Sequence, residues 1–516
     1  MPAAIAQGIA GATAASRSNT SLGRKLLLSA AIAVISAAAL LFVFHSVGPF
    51  LSWDGMDYAQ VARQIVRGRG MTSKLMVADL LSEEYMNPEN WPDLIRAPAA
   101  VYMESWVFRV AGSSDLAATV LPSLFAVATA VAIFWLAEPL FGASIAFVSS
   151  LVFAVSPAGL LYAGAGLTET TAMFLLTLAV ALFLRTPRTW SATLMGLSMA
   201  LCALTRPVAY LWVAILAIAL AWRLRREGRG WAVPVAALGI AFLLPLLAVS
   251  HALHWQGGRA ALALNLASRT NASVGEAMRS PLAFVVHHRG ALAKKVFIEL
   301  GRPVAYGFRF GGVLLFSALS LFGLAMRQRD EKNNLARGVI VAIVAGNALA
   351  LAVLNEGDAF AGPLRYFDVF VPLLIPWGVA ALWAVAERSY RPVFYGLLAM
   401  MLAGCPVYLV RNPGLKPDPQ TIQMYRDLGV IVPLADVIAS AGPGTQPAIA
   451  WYGDRYVIWP VDPNQEIANL RSRGMPVRWY FAMEGGSVPQ RFQMVRRWPH
   501  GYQLWQVVEP GGIQTK

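Results

Sequence analysis

The apolar residues of this 516-residue chain are gathered into long uninterrupted blocks, and no other feature limits the fold as strongly. A bilayer span needs about 20 largely apolar residues, because every backbone N–H and C=O must find its partner inside the segment. Blocks of this kind cover residues 26–47, 116–136, 144–164, 169–184, 190–204, 208–222, 231–253, 310–326, 338–354, 366–385 and 392–410. They amount to about eleven spans on the length criterion. The halves of 190–222 are short and meet at Arg206-Pro207. Composition agrees, with 57% hydrophobic and 14% charged residues, against about 25% charged in a soluble chain. The expected fold class is a polytopic α-helical membrane protein embedded in a lipid bilayer.

Lys and Arg in the short loops set the orientation. With a cytoplasmic N-terminus (residues 1–25), one side holds Arg17, Arg24, Lys25, Arg185, Arg188, Arg223, Arg225, Arg226 and Arg229. Arg327, Arg329, Lys332, Arg337, Arg388 and Arg391 fall on the same side, whereas the opposite turns at 164–168 and 355–364 hold no Lys or Arg. The net charge of +14 is therefore partly topological and is not read as a nucleic-acid footprint. The first block is too long for a cleaved signal peptide, and no small-x-small site follows it before Trp53, so it reads as an uncleaved anchor. Both cysteines, Cys202 and Cys405, lie in apolar blocks and read as packing residues.

Three stretches are too polar to span, and this topology puts all of them outside. They are loops 49–115 and 254–309 of the membrane domain (26–410), and the tail 411–516. Loops longer than about 15 residues in compact domains usually carry function. In the tail, 447–456, 477–483, 492–497 and 502–508 read as strands rich in aromatic and β-branched residues. Residues 421–440 and 465–473 read as helical, and Pro499-His500-Gly501 as a hairpin turn. A small extracytoplasmic α/β domain is expected there.

The first loop opens with an amphipathic helix, Tyr58, Val61, Ala62 and Ile65 on one face and Arg63 and Arg67 on the other, suited to an interface. Asp54 stands where a helix N-cap is expected, so it is either a cap or a functional carboxylate. Arg206 is the one basic residue of its apolar hairpin, and a charge so placed is a functional candidate or snorkels to headgroups. Arg365 has the same standing. Glu169 ends a span on the outer side, as a sugar- or metal-binding acid or as a boundary residue. His287, His288, Arg289, Lys294 and Lys295 form a basic cluster that either holds phosphate or is an exposed face. No carboxylate or cysteine stands at zinc-ligand spacing beside the two histidines, so no zinc site is expected there.

Asp54-x-x-x-Tyr58-x-x-x-Ala62-x-x-Ile65-x-x-Gly68 resembles the first-loop motif of GT-C glycosyltransferases. It is most similar to the branch holding bacterial relatives of protein O-mannosyltransferases and aminoarabinose lipid A transferases. Arg96-Ala97-Pro98, Tyr102 and Gly112-Ser113-Ser114-Asp115 resemble the stretch before their second span. Ala154-Val155-Ser156-Pro157, Tyr162 and Glu169 resemble their third span, and Pro363-Leu364-Arg365-Tyr366 with Pro372 and Pro376 a late one. The resemblance runs in order from Asp54 to Leu382, and no motif covers the tail. Many relatives carry Asp-Glu where this chain has Asp54-Gly55, so a second carboxylate is missing. Asp57, at i+3 on the same helical face, is either its partial substitute or a solvated residue.

The resemblance implies a polyprenyl-phosphate-linked sugar as donor, an extracytoplasmic acceptor, and transfer with inversion. Such transfer needs a base for the acceptor proton and cations or a metal for the departing phosphate. Asp54 is the candidate base. Asp57, Tyr58, Arg96, Tyr102, Glu169, Arg206, Arg365 and Tyr366 are the candidate donor- or substrate-binding residues. A divalent metal, held by Asp54 and Glu169, is left open. The setting implied is a bacterial inner membrane with the site on its periplasmic face. The rivals are a polytopic transporter or flippase of lipid-linked sugars, which would show repeat symmetry and mid-membrane charges, and a polysaccharide polymerase or ligase, which carries its large catalytic loop late in the chain. Reporter fusions after Arg226 are expected to read cytoplasmic and fusions after Pro417 external. A cytoplasmic tail would overturn the orientation.

Overall fold

The structure is a computed structural model. It describes residues 21–77, 86–185, 188–253, 274–294, 314–325, 331–354, 367–385, 418–440, 445–459, 463–485 and 491–508, with scattered residues in 262–267, 296 and 392–411. Its helices are α1 (Leu22–Val47), α2 (Trp53–Val66), α3 (Pro98–Ala111), α4 (Asp115–Phe141), α5 (Ala143–Ala154) and α6 (Pro157–Gly164). They continue with α7 (Glu169–Leu184), α8 (Thr189–Ala203), α9 (Ala209–Arg226), α10 (Ala232–Leu253), α11 (Val274–Arg279) and α12 (Pro281–His287). The last are α13 (Leu314–Ala325), α14 (Glu331–Leu354), α15 (Val371–Val385), α16 (Pro419–Ile431) and α17 (Pro463–Ser472).

Helices occupy the described parts of the apolar blocks. Among the described residues, 5 are long and apolar enough to cross a membrane: α1, α4, the α5–α6 unit, α10 and the Glu331–Ala350 part of α14. The α5–α6 unit breaks where Pro157 removes a donor, and Ser156 accepts from Gly159 N at 3.2 Å to cap the second half. The block 392–410 lies largely outside the described residues. The bundle packs through close backbone approach as well as apolar bulk. A Cβ on Gly196 of α8 would stand 2.3 Å from Leu238 O of α10, so only glycine admits that crossing.

Charged contacts mark one end of the bundle. Lys25 pairs with Glu138 at 2.8 Å, Arg226 pairs with Glu331 at 2.9 Å, and Arg223 donates to the Phe183 and Arg185 carbonyls. These are basic residues of the arginine-rich side. The first loop and the tail meet at the other end.

There a six-stranded sheet runs in the order β1-β3-β2-β4-β6-β5, with β1 (Leu75–Val77), β2 (Val437–Ser440), β3 (Tyr456–Trp459), β4 (Val477–Met483), β5 (Phe492–Arg497) and β6 (Tyr502–Val507). The first four in that order are parallel, and β6 and β5 close it antiparallel. Alternation sorts the strand residues. Ile438, Val457, Trp479 and Phe481 pack with Met56, Ala59 and Ala62 of α2 on one face. Val437, Ala439, Ile458 and Tyr480 pack with Trp91 and with Ile467 of α17 on the other. The sheet thus takes its edge strand from the first loop and rests on α2.

Two readings of the tail are corrected. Residues 447–456 are mostly helical, a turn Thr445–Ala448 followed by a π-helical turn Ile449–Gly453, and the strand begins only at Tyr456. The aromatic pair Trp451-Tyr452 that suggested a strand instead bonds to Asp115, at 2.7 Å from Trp451 and 3.0 Å from Tyr452. Residues 421–440 hold a helix only to Ile431, after which Pro433 intervenes and β2 follows.

Candidate functional site

Backbone docking brings the first loop onto the bundle. Phe50 N donates to Gly164 O at 3.2 Å, and Ser52 N to Ala165 O at 3.0 Å. Ser52 Oγ donates to the same carbonyl at 3.1 Å. A Cβ on Gly55 would lie 2.3 Å from Ala165 O. A second carboxylate at position 55 therefore has no room unless the 164–166 turn moves. That turn is itself bent by Gly166, whose φ of +69° favours glycine. Farther along, Ala99 N donates to Leu204 O at 2.9 Å, fixing the start of α3 against the end of α8. These contacts gather Asp54, Arg96, Glu169 and Arg206 at one end of the bundle.

Asp54 is not the cap of α2. Ser52 is, accepting from Gly55 N at 3.0 Å, and Asp54 sits within the first turn with its carboxylate directed elsewhere. Nor does α2 lie in an interface with one face open. Gly55 to Ala62, Gln64 and Ile65 are all buried, and the face that sequence left to solvent meets the tail at Ala450, Trp451 and Asp454. Asp57, one of whose two readings was a solvated residue, is buried.

Arg96 joins the two aspartates. Its Nη2 lies 2.9 Å from Asp54 Oδ1 and 2.6 Å from Asp57 Oδ2, and its Nε donates to Asp57 Oδ2 at 2.7 Å. The guanidinium carbon stands 4.8 Å from the centre of the Tyr58 ring. The Tyr58 hydroxyl accepts from Thr168 Oγ1 at 3.4 Å, next to Glu169. Burial raises the Tyr58 hydroxyl above its usual range, and Arg96 and Arg206 are both near enough to oppose that. Arg206 Nη2 meets Glu169 Oε1 at 2.5 Å. Exposure separates the three carboxylates: 26% for the Asp54 side chain, 7% for Asp57 and 1% for Glu169. Asp54 is the one most open to a ligand. Asp54 and Glu169 each face a guanidinium through one carboxylate oxygen.

Tyr102 is half-buried beside Tyr58, Val61 and Val101. Arg365 and Tyr366 lie outside the described residues, as does Lys295. The late-span region is represented by Asp368, whose Oδ2 accepts from the Tyr162 hydroxyl at 2.5 Å. In the second loop the structure corrects the metal-ligand reading. Glu276, twelve residues before His288, comes within 3.3 Å of its ring nitrogen.

Sequence reasoning missed a hydrogen-bonded path from the tail into this site. Asp454, held at φ +53°, pairs with Arg63 at 2.9 Å, Arg67 at 2.9 Å and Lys74 at 2.8 Å. Lys74 N donates to Gln60 Oε1 at 2.9 Å, and Gln60 Nε2 donates to Asp57 Oδ1 at 3.0 Å. Burial would raise the Asp454 carboxyl, but Arg67, Arg63 and Lys74 hold it down to about 2. Burial brings the Lys74 amine down to about 8, with Asp454 opposing the fall. No local motif signals this path, because its Lys74–Asp454 link joins residues 380 apart.

Asp93 is a further carboxylate that sequence reasoning passed over. One oxygen accepts from Ile95 N at 3.0 Å and Arg96 N at 2.9 Å, and the other is buried without a donor among the described residues. Its one visible signal was the turn-forming Pro92-Asp93 before Arg96.

No protein-family model matches the sequence, and no curated protein matches it. Solved structures do. ArnT from Cupriavidus metallidurans bound to undecaprenyl phosphate superposes with a TM-score of 0.59 at 13% identity, over 96% of this chain and 100% of that one. The archaeal oligosaccharyltransferase AglB from Archaeoglobus fulgidus, in complex with an inhibitory peptide and a dolichol-phosphate, gives 0.58 at 12% identity, over 89% of this chain and 69% of that one. The arabinofuranosyltransferase AftD from Mycobacteria gives 0.50 at 16% identity, over 93% of this chain and 42% of that one. The chain has the GT-C fold. The resemblance read from the first-loop motif is thereby supported at the level of fold.

Burial, with the neighbouring Asp57 charge second, pushes the Asp93 carboxyl up to about 6. A carboxyl raised above its unfolded value stabilises the fold below the unfolded pKa, and that stabilisation is lost as pH rises through the folded one. Between about pH 4 and pH 6 the wild type should lose stability relative to Asp93→Asn. Thermal unfolding of both proteins across that window checks it, and parallel curves would contradict it.

Proposed function

We propose that the protein is a membrane glycosyltransferase that moves a sugar from a polyprenyl-phosphate donor to an acceptor hydroxyl on the outward face of a bacterial inner membrane, with inversion. One observation carries this reading most: the most exposed carboxylate of the cluster, Asp54, pairs with Arg96 at the same end of a GT-C fold as the Arg206–Glu169 pair. The first loop and the tail 411–516 make the outward part, and 26–410 the membrane part.

In this reading the acceptor oxygen attacks the anomeric carbon as the bond from that carbon to the phosphate oxygen breaks. Asp54 takes the acceptor proton, and Arg96 holds its carboxylate in place. The phosphate leaves with the bonding electrons, and guanidinium N–H groups meet its charge. Arg206, oriented by Glu169, is the main phosphate ligand, with Arg365 and Tyr366 assigned beside it from the family resemblance. Asp57 positions Arg96, while Tyr58 and Tyr102 wall the sugar side. A transporter reading wants its charged groups near mid-membrane, and the cluster observed lies at a bundle end.

Asp54→Asn keeps the side chain's size, and the helix cap is untouched because Ser52 supplies it. The variant should fold and insert as wild type but transfer sugar roughly 10²–10⁴-fold more slowly, the usual cost of removing a general base. Transfer is measured with purified protein and a polyprenyl-phosphate sugar, the acceptor being found by mass spectrometry of envelope glycans in a deletion strain. A rate near that of wild type would remove Asp54 from the chemistry.

A further inference from the structure

The second outer loop carries a feature that the transfer reaction does not use. Helices α11 and α12 meet at Ser280-Pro281, and Pro281 at the first position of α12 cannot donate into α11. Ser280 is extended, with φ −148° and ψ 88°, as a residue before proline tends to be. The chain therefore folds back. Val274, Ala277 and Phe284 turn inward, and they pack with Leu94 and Ile95 of the first loop, immediately before Arg96. On the polar rim of this hairpin stand Glu276, His287 and His288.

One carboxylate oxygen and two imidazole nitrogens in this trio all lie within 4.8 Å of one another. Among the described residues it is the one such group of three. His288 Nε2 lies 3.3 Å from Glu276 Oε1. Its ring is held in place by Phe284, centroid to centroid at 4.4 Å, and Phe284 is itself fully buried. His287 stands edge-on to His288 at 4.8 Å and 86°, which brings a second imidazole to the same carboxylate. An ion pair would need only one of these histidines.

We propose that Glu276, His287 and His288 form a divalent transition-metal site of the zinc type, which staples the α11–α12 hairpin over the first loop. Imidazole with one carboxylate selects zinc-like ions over magnesium or calcium, which prefer all-oxygen shells. Tetrahedral ligands about 2.0–2.1 Å from zinc lie roughly 3.4 Å apart. The 3.3 Å pair already has that spacing. Glu276 and His287 are exposed, so rotation of their side chains closes the remainder without moving backbone. Three protein ligands leave a fourth position for water, as in open sites. Two helices this short do not hold themselves, so a bound ion would order the hairpin and with it the Leu94–Ile95 contact.

The test uses the full-length purified protein, stripped with a chelator and titrated with cobalt(II), which reports coordination in its visible absorption. Wild type should take up about one equivalent with tetrahedral bands, and zinc should displace it. His287→Ala changes only an exposed side chain and should weaken binding at least tenfold. His287→Ala with His288→Ala should abolish the bands while the protein remains monodisperse. Zinc should also slow proteolysis of the second loop in wild type and not in His287→Ala. Absence of cobalt bands in wild type overturns the proposal. So does a spectrum and affinity unchanged by His287→Ala, which would place the ion at another site. None of these readouts depends on sugar transfer.

Discussion

The bridge from Arg96 to Asp54 and Asp57 is the interaction on which the rest of the outer assembly depends. One guanidinium serves two carboxylates at 2.9 and 2.6 Å, with Asp57 almost wholly buried. Breaking a buried pair by removing one partner costs about 3–5 kcal/mol, because the other charge is left uncompensated. Arg96 comes from the loop before α3 and the aspartates from α2, so the pair fixes two segments of the first loop against each other. Asp57 then hands the constraint on through Gln60 to Lys74 and Asp454. The tail, the first loop and the bundle end are thereby one mechanical unit, with Asp54 at its open edge.

Much of the membrane part was legible because periodicity and length report burial in lipid directly. Each described apolar block is helical, and Lys25, Arg223 and Arg226 make their contacts where the short basic loops adjoin the bundle. The helix over Trp53–Val66 was legible too, but not its burial. Arg63 and Arg67 look like a solvent face in sequence. Both turn to the tail, Arg63 through the Ala450 and Trp451 carbonyls at 2.7 and 2.9 Å. A partner some 390 residues away leaves no mark on local pattern. The same holds for Glu276 and His288, whose meeting needs the fold-back at Pro281, and for β1, a three-residue strand too short to show alternation.

Within the candidate site, residue types were easier to find than roles. Asp54, Arg96, Glu169 and Arg206 were named from sequence, and the structure brings all four to the same end. Of the two readings of Asp54 the cap falls away, because Ser52, two residues earlier, caps α2. Gly55 marked a lost carboxylate in sequence, and in the structure it is the contact that seats the first loop on the Ala165 carbonyl. The backbone approach and the second acid exclude one another, and Asp57, one helical turn on, reaches Arg96.

In the proposed reaction this end of the bundle holds a lipid-linked phosphate through Arg206. The most direct measurement is equilibrium binding of an unsubstituted polyprenyl phosphate to purified wild type and Arg206→Lys. Lysine keeps the charge that Glu169 needs but loses the planar fork that grips a phosphate. If Arg206 grips the phosphate, the variant should unfold at the wild-type temperature and bind at least tenfold more weakly. Equal affinity in the two proteins would contradict it.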